Sequence, residues 1–441
     1  MARLSTRREA LRKSALSVAA AWVTTRGVLG GEGAAPSEKL NVAFVGAGGQ
    51  AAFSQDNLAD QNVVALCDVD DARMAGAAKR FPKARTFRDY RRMLDEVQKE
   101  IDAVVVATPD HIHAPASVMA MSLGKHVYCE KPLTWSIEEA RRMAQVAKER
   151  RVATQMGTQG MAGDRSRAGV EVLRSGVLGA VREMHVWTDR AAGWWPQGVD
   201  RPKETPPVPP SLAWDLWLGP APQRPYHPTY HPFRWRGWLD FGTGPLGDMG
   251  IHNAAMPYLG LRLGLPTTIE VLERSDTKSE TFPAWATLKF GFPARGDQPP
   301  LTMFWYDGIK RPSADLLGGR EPAKNGAIVV GDKGTLYSVE WTGGDWHLLP
   351  KDKFRGYEPP KPSLPRSAGH HKEWVAACKG GPATLCNFPD FASPLTEVML
   401  LGGLALRTGR TIEWEAEKMQ AKGCPEAGRF IGRDYRKGWR I

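Results

Sequence analysis

A lysine placed at the end of a short apolar run, in Cys129-Glu130-Lys131-Pro132, is the first residue whose setting suggests chemistry. Lone lysines are mostly solvated, but open α/β sheets bind their ligands outside the carboxyl ends of their strands. An ammonium there would hydrogen-bond or protonate a substrate oxygen. A second candidate group is Gly242-Thr243-Gly244-Pro245-Leu246-Gly247-Asp248-Met249-Gly250-Ile251-His252. If this stretch opens a helix, Asp248 and His252 lie one turn apart on one face, a spacing that an ordinary helix pair shares. A third is Leu40 to Ala51, an apolar run breaking into a glycine-rich turn. Gly46, Gly48 and Ala51 fit the G-x-G-x-x-G/A form of a dinucleotide turn, with Gly49 and Gln50 inside it. Glycine lets the backbone approach a pyrophosphate closely, while the following helix start presents free N–H groups.

These groups need a scaffold, and the chain's rhythm supplies one. From Val42 to Met156 short β-branched runs alternate with amphipathic helices, the signature of a parallel sheet covered on both faces. Strands are predicted at Val42–Val45, Val63–Cys67, Ala103–Ala107, His126–Cys129 and Ala153–Met156. Helices are predicted near Asp71–Phe81, Asp89–Val97, Ala114–Leu123 and Glu138–Arg150. Asp68 ends the second strand, 22 residues after Gly46, where a carboxylate accepts hydrogen bonds from an adenosine ribose and repels a 2′-phosphate. The turn and Asp68 together predict NAD as cofactor, with NADP as the alternative. Thr108, Pro109 and His113, in a loop following the third strand, are expected to border it, as are Glu130 and Lys131.

Beyond Met156 the loops lengthen, and strands near Ala180–Trp187, Thr268–Leu272, Trp285–Phe290, Leu301–Trp305, Ala327–Val330 and Thr335–Ser338 alternate like an antiparallel sheet with one covered face. Helices are expected from His370 and over about Ser393 to Arg407. The expected organisation is a leader over 1–36, a Rossmann domain over 37–158 and an α/β domain over 159–441. Between Trp187 and Phe241 lies a stretch rich in proline and tryptophan without periodicity. So long a loop with so many large aromatics is expected to be functional rather than disordered. Trp194, Trp195, His231, Arg234 and Trp235 are the candidate substrate contacts, aromatic faces suiting the C–H faces of sugars; padding of the sheet or of a subunit interface is the plainer use. His227 and His231 are four apart, but Pro228 and Pro232 preclude a helix there. No metal site is expected.

The 441 residues exceed one small domain, and 42% hydrophobic content is ordinary for a globular protein. A formal charge of +11 raises the question of nucleic acid, but the basic residues are scattered among acids and part of the excess lies in the leader, which argues against it. Five cysteines show neither metal-ligand spacing nor disulfide density. The leader, Ser5-Thr6-Arg7-Arg8-Glu9-Ala10-Leu11-Arg12-Lys13 before an Ala-rich run from Ala15 to Val23, resembles a twin-arginine export signal. The run is too short to span a bilayer, so export to the periplasm without stable membrane insertion is expected.

The Gly46-x-Gly48 turn, the Thr108-Pro109-Asp110 loop with His113, and Glu130-Lys131-Pro132 together resemble the glucose-fructose oxidoreductase, inositol dehydrogenase and rhizopine-catabolism (Gfo/Idh/MocA) family. The resemblance implies a Rossmann domain followed by an α/β domain with a large, mostly antiparallel open sheet. It also implies that Lys131, Asp248 and His252 form the catalytic group. His252 would take a hydroxyl proton, Asp248 would orient the imidazole and contact substrate, and Lys131 would steady the oxygen. The expected activity is hydride transfer between the nicotinamide cofactor and a sugar, polyol or glycoside hydroxyl. Two alternatives share the fold: a glycosidase cycling a tightly bound NAD through oxidation and elimination, and a catalytically silent binding protein. Because twin-arginine export carries folded proteins, NAD is expected to be tightly held. A homo-oligomer formed through the C-terminal sheet is also expected.

Overall fold

The computed structural model describes residues 39–190 and 193–441; the export-signal expectation falls on residues outside these. The first sheet has six strands, β1 (Asn41–Val45), β2 (Asn62–Cys67), β3 (Arg85–Phe87), β4 (Ala103–Val106), β5 (His126–Cys129) and β6 (Thr154–Met156). They run parallel in the order β3-β2-β1-β4-β5-β6. The central strands read as unbroken apolar runs because both faces are covered, and β4 is buried at every position. The connecting helices are α1 (Ala51–Asn57), α2 (Asp71–Arg80), α3 (Tyr90–Val97), α4 (Asp110–Ser122) and α5 (Ile137–Arg150). Asp70 caps α2 by accepting from the Ala72 N–H, and Asp89 does the same for α3 from Arg91. Ser136 and Glu139 close a capping box on α5.

The second sheet has nine strands in the order β13-β12-β11-β7-β10-β9-β8-β14-β15. They are β7 (Val181–Thr188), β8 (Thr268–Arg274), β9 (Ala286–Phe292), β10 (Leu301–Tyr306), β11 (Asn325–Gly331), β12 (Gly334–Ser338), β13 (Trp346–Leu349), β14 (Ile412–Glu415) and β15 (Gln420–Lys422). Only β7 and β10 pair in parallel. In β10 the inward residues Leu301, Met303 and Trp305 are buried while Thr302, Phe304 and Tyr306 on the other face are partly exposed, the alternation of a sheet covered on one side. The cover comes from helices α6 (Asp164–Arg174), α8 (Ile251–Leu261) and α10 (Ser393–Thr408). Between α6 and α8 in the chain, a short helix, α7 (Trp214–Leu218), interrupts the tryptophan-rich stretch. Helix α9 (His370–Cys378) crosses back to the first sheet, where Trp374 is fully buried beside Tyr128.

The differences from expectation have local causes. Strand β3 is three residues long and largely exposed, so it carries no apolar pattern. Helix α4 begins at Asp110 rather than Ala114: Pro109 precedes it in extended backbone and an acid at the first position suits the helix dipole. The loop expected around Thr108 therefore ends at Pro109, and His113 lies in the helix. Strands β13, β14 and β15 and helix α6 were not anticipated; the strands are only three or four residues long. Among the described residues no helix is long and apolar enough to cross a membrane.

Candidate active site

A cleft of about 570 Å³ runs from the glycine turn after β1, past the ends of β4 and β5, to the start of α8. At the turn, Gly46 has φ +85°, and a Cβ there would sit 2.5 Å from the Ala107 carbonyl oxygen. Glycine is required on both counts. Ala51, at the third fingerprint position, is fully buried where α1 packs on the sheet. The Ala47 and Gly48 N–H groups donate to Asp68 Oδ2 at 2.9 and 3.2 Å, and the Asp70 N–H donates to Asp68 Oδ1. The Gly49 and Gln50 N–H groups have no partner among the described residues. Thr108 Oγ1 is buried and unpartnered on the cleft's flank. Unpaired donors beside a glycine cradle and an oriented carboxylate fit a nicotinamide dinucleotide. Asp68 keeps acceptor capacity for a ribose because a carboxylate offers about four lone-pair sites.

At the other end, Lys131 follows β5 and meets Asp248. Lys131 Nζ donates to Asp248 Oδ1 at 2.5 Å and to its backbone oxygen at 2.8 Å. Asp248 sits in a π-helical turn, Leu246–Gly250, that leads into α8. Such turns are rare and favour functional sites. The turn is seated by Gly247, where a Cβ would fall 1.9 Å from Thr243 Oγ1 and 3.0 Å from Pro132. Arg190 Nη1 approaches Asp248 Oδ2 at 3.2 Å and Arg236 Nε approaches Oδ1 at 3.3 Å. Burial would raise the Asp248 pKa, but Lys131, Arg236 and Arg190 together hold it well below the usual carboxylate range. His252 lines the same end, packed edge-on against Trp341 at 5.1 Å. Burial first, then the charges of Lys131 and Arg190, push the His252 pKa well below its ordinary value, so the imidazole is neutral at pH 7 and able to accept a proton.

The expectation that Asp248 orients His252 is not met: no hydrogen bond joins them among the described residues, and the carboxylate turns instead to three cations. The remaining predicted residues divide. Gly46, Gly48, Gly49, Gln50, Asp68, Thr108, Pro109, Glu130, Lys131, Trp194 and Trp235 line the cleft. Glu130 is buried and accepts from Gln159 at 3.0 Å, and burial raises its pKa to about 7. His113 is off the cleft; its ring nitrogens lie 2.8 Å from the Pro132 and Thr108 carbonyls, bracing the loop from behind. Trp195 is also off it, buried, with its indole N–H donating to Gln197. Arg234 is exposed, and Arg236 two residues on takes the place expected for it. His231 reaches the cleft at the opposite end from substrate, with Nε2 2.9 Å from Asp70 Oδ2.

Arg190, Arg236 and Trp341 were missed. All three stand in stretches without periodicity, and no sequence signal separates Arg236 from Arg234. The adjacent histidines at the start of α9 face apart, His370 towards the Met156 carbonyl and His371 towards Ser54 and the ring of Tyr128.

Residues 40–158 match the family model described as oxidoreductase family, NAD-binding Rossmann fold, and residues 167–292 match its C-terminal alpha/beta domain. An inositol 2-dehydrogenase of Rubrobacter xylanophilus is 33% identical over 150 residues, 33% of this chain and 42% of that protein. A levoglucosan dehydrogenase of Pseudarthrobacter phenanthrenivorans is 37% identical over 87 residues, 20% of this chain and 22% of that protein. The chain thus matches less than half the length of these relatives. The WlbA dehydrogenase of Bordetella pertussis, solved with NADH and UDP-GlcNAcA, shares the fold with a TM-score of 0.59 at 16% identity, covering 85% of this chain and 99% of that one. With both family models matched, and together spanning more than half of its length, the chain belongs to the Gfo/Idh/MocA family of oxidoreductases.

Proposed function

We propose that this protein is an NAD-dependent oxidoreductase acting on a hydroxyl of a sugar, polyol or glycoside. The observation that carries the reading is the convergence of Lys131, Asp248 and His252 at one end of a cleft whose other end is the glycine turn. The turn, with Gly49, Gln50 and Asp68, would hold the dinucleotide, and Thr108 and Pro109 would flank it. Bound there, the cofactor supplies the acceptor for the hydride from the carbon that bears the hydroxyl. His252, kept neutral, takes the hydroxyl proton. The Lys131 ammonium, anchored by Asp248, donates to the oxygen as it becomes a carbonyl. Trp194, exposed at the cleft, offers an aromatic face to the ring of the substrate.

Tight retention of NAD is part of the proposal. The Ser211 carbonyl accepts from the Asp71 N–H, Ala213 donates to the Val69 carbonyl, and His231 meets Asp70. This strap from the second half of the chain is tied to the stretch that follows Asp68, and its Leu216, Trp217 and His231 line the cleft. Retention suits export through the twin-arginine route, which the leader supports. Assembly through the second sheet is supported by its uncovered face, where Leu272 is 45% exposed and Phe304 and Tyr306 are partly so. The test is mass spectrometry of the purified protein's cofactor, followed by a panel of sugars and polyols read by cofactor reduction. Bound NAD reduced by at least one of them is expected; absence of nucleotide together with weak NAD affinity would remove the retention claim. Sugar release from a glycoside without accumulating reduced cofactor would assign the redox-neutral glycosidase instead.

A further inference from the structure

The substrate end of the cleft carries more cations than its acid can use. Among the described residues Asp248 is the one acid within ion-pair distance of Lys131, Arg190 and Arg236. Lys131 already satisfies it with the shortest contact, 2.5 Å, while the two arginines reach it only at 3.2 and 3.3 Å. Two other acids lie near: Asp110 accepts from Thr243 at 2.6 Å and interacts with Arg236 and Lys131, and Glu130 accepts from Gln159 and interacts with Lys131. Burial raises both their pKa values to about 7, so neither is fully charged at neutral pH.

The guanidinium groups are also held in place. Arg190 lies 4.3 Å above the Trp194 ring; Arg236 lies 4.3 Å from Trp235 and 4.4 Å from Phe233, and its Nη1 donates to the Phe233 carbonyl. Stacking fixes the plane of a guanidinium and leaves its edge donors unused. Arg190 makes one side-chain hydrogen bond among the described residues and Arg236 makes two, each from a group with five N–H donors. Side-chain exposures of 29% and 20% mean that both are substantially desolvated, and the single Asp248 carboxylate they share with Lys131 leaves positive charge in excess there, which is costly. The dinucleotide does not supply that partner, because its pyrophosphate belongs at the glycine turn. There another cation, Arg73, packs against Gly48 and Gly49.

Resting on the oxidoreductase reading above, we propose that the substrate is an acidic sugar or polyol whose oxyanion substituent, a carboxylate, sulfate or phosphate, is held between Arg190 and Arg236. Planar forks of this kind match all three oxyanions. An anion there would also offset the positive potential around the cleft's reacting end. The substituent would fix which hydroxyl lies against Lys131 and His252.

The test is calorimetric titration of the cofactor-loaded protein with matched hexoses: the neutral sugar, its uronate, its 6-sulfate and its 6-phosphate, at low and raised salt. At least one acidic form is expected to bind on the order of tenfold or more tightly than its neutral parent. The advantage should shrink with salt and vanish in an Arg190→Gln/Arg236→Gln variant of unchanged cofactor content. Comparison among the three acidic forms identifies the oxyanion. Neutral hexoses that bind as well as every acidic form and reduce the cofactor would overturn the anion site and leave the oxidoreductase reading intact. Acidic sugars that bind preferentially but never reduce the cofactor would uphold the anion site and sink the oxidoreductase reading. Binding of none would overturn both.

Discussion

His252 is defined by what surrounds it rather than by what it bonds. Its ring packs on Trp341 and faces Lys131 and Arg190, so protonation would add a cation to a cluster already rich in them. Burial and these charges both favour the neutral form. If His252 is the base, activity requires that neutral form, and a depressed pKa extends it downward in pH. The acid limb of kcat/KM should therefore fall below 6.5, the ordinary histidine value; a limb at or above 6.5 would exclude His252 as the group titrating there. The linkage has the same direction. The folded state binds fewer protons here than the unfolded chain, so the stability from a neutral His252 is present above the ordinary value and lost as pH falls below it.

At the level of elements, the glycine turn, the strap and the π-helical turn set the cleft. Gly46→Ala would combine a left-handed backbone with a Cβ 2.5 Å from the Ala107 oxygen. A loss of about 1–3 kcal/mol is expected in thermal or denaturant unfolding, with weaker NAD binding; unchanged stability and affinity would show that the turn can move without consequence. His231→Ala removes the strap's side-chain tie to Asp70. NAD dissociation should accelerate by about tenfold in a stopped-flow chase, the factor for roughly 1.4 kcal/mol; an unchanged off-rate would dismiss the strap as a retaining device. The turn, Asp68 and Lys131 were legible because strand ends in a parallel sheet are marked by the apolar runs before them. His113, Trp195, His231 and Arg234 were misplaced for the converse reason. They stand in a helix read as loop, or in a stretch without regular periodicity, so proximity in sequence says little about which side chain faces the cleft. The partnership of Asp248 with cations rather than with His252 was illegible too, because Arg190 and Arg236 approach from 58 and 12 residues away.

On the scale of the whole molecule, two sheets divide the work: the parallel one presents the dinucleotide turn, and the second half of the chain brings π-turn, arginines and aromatics to the same cleft. That division was readable from the change of rhythm after Met156, whereas the return of α9 to the first sheet was not, since Trp374 simply reads as another apolar helix residue. The proposed export depends on the leader alone. Replacing Arg7 and Arg8 by lysine should retain the protein inside the cell in a fractionation assay, and continued appearance outside the cytoplasm would discard the twin-arginine assignment. Lys131 is the residue proposed to act on the substrate at this cleft. The most direct measurement is the rate of cofactor reduction by a sugar that wild-type protein oxidises, compared with Lys131→Met of equal NAD content. A fall of about 10²–10⁴-fold is expected with the cofactor still bound; an undiminished rate would remove Lys131 from the reaction.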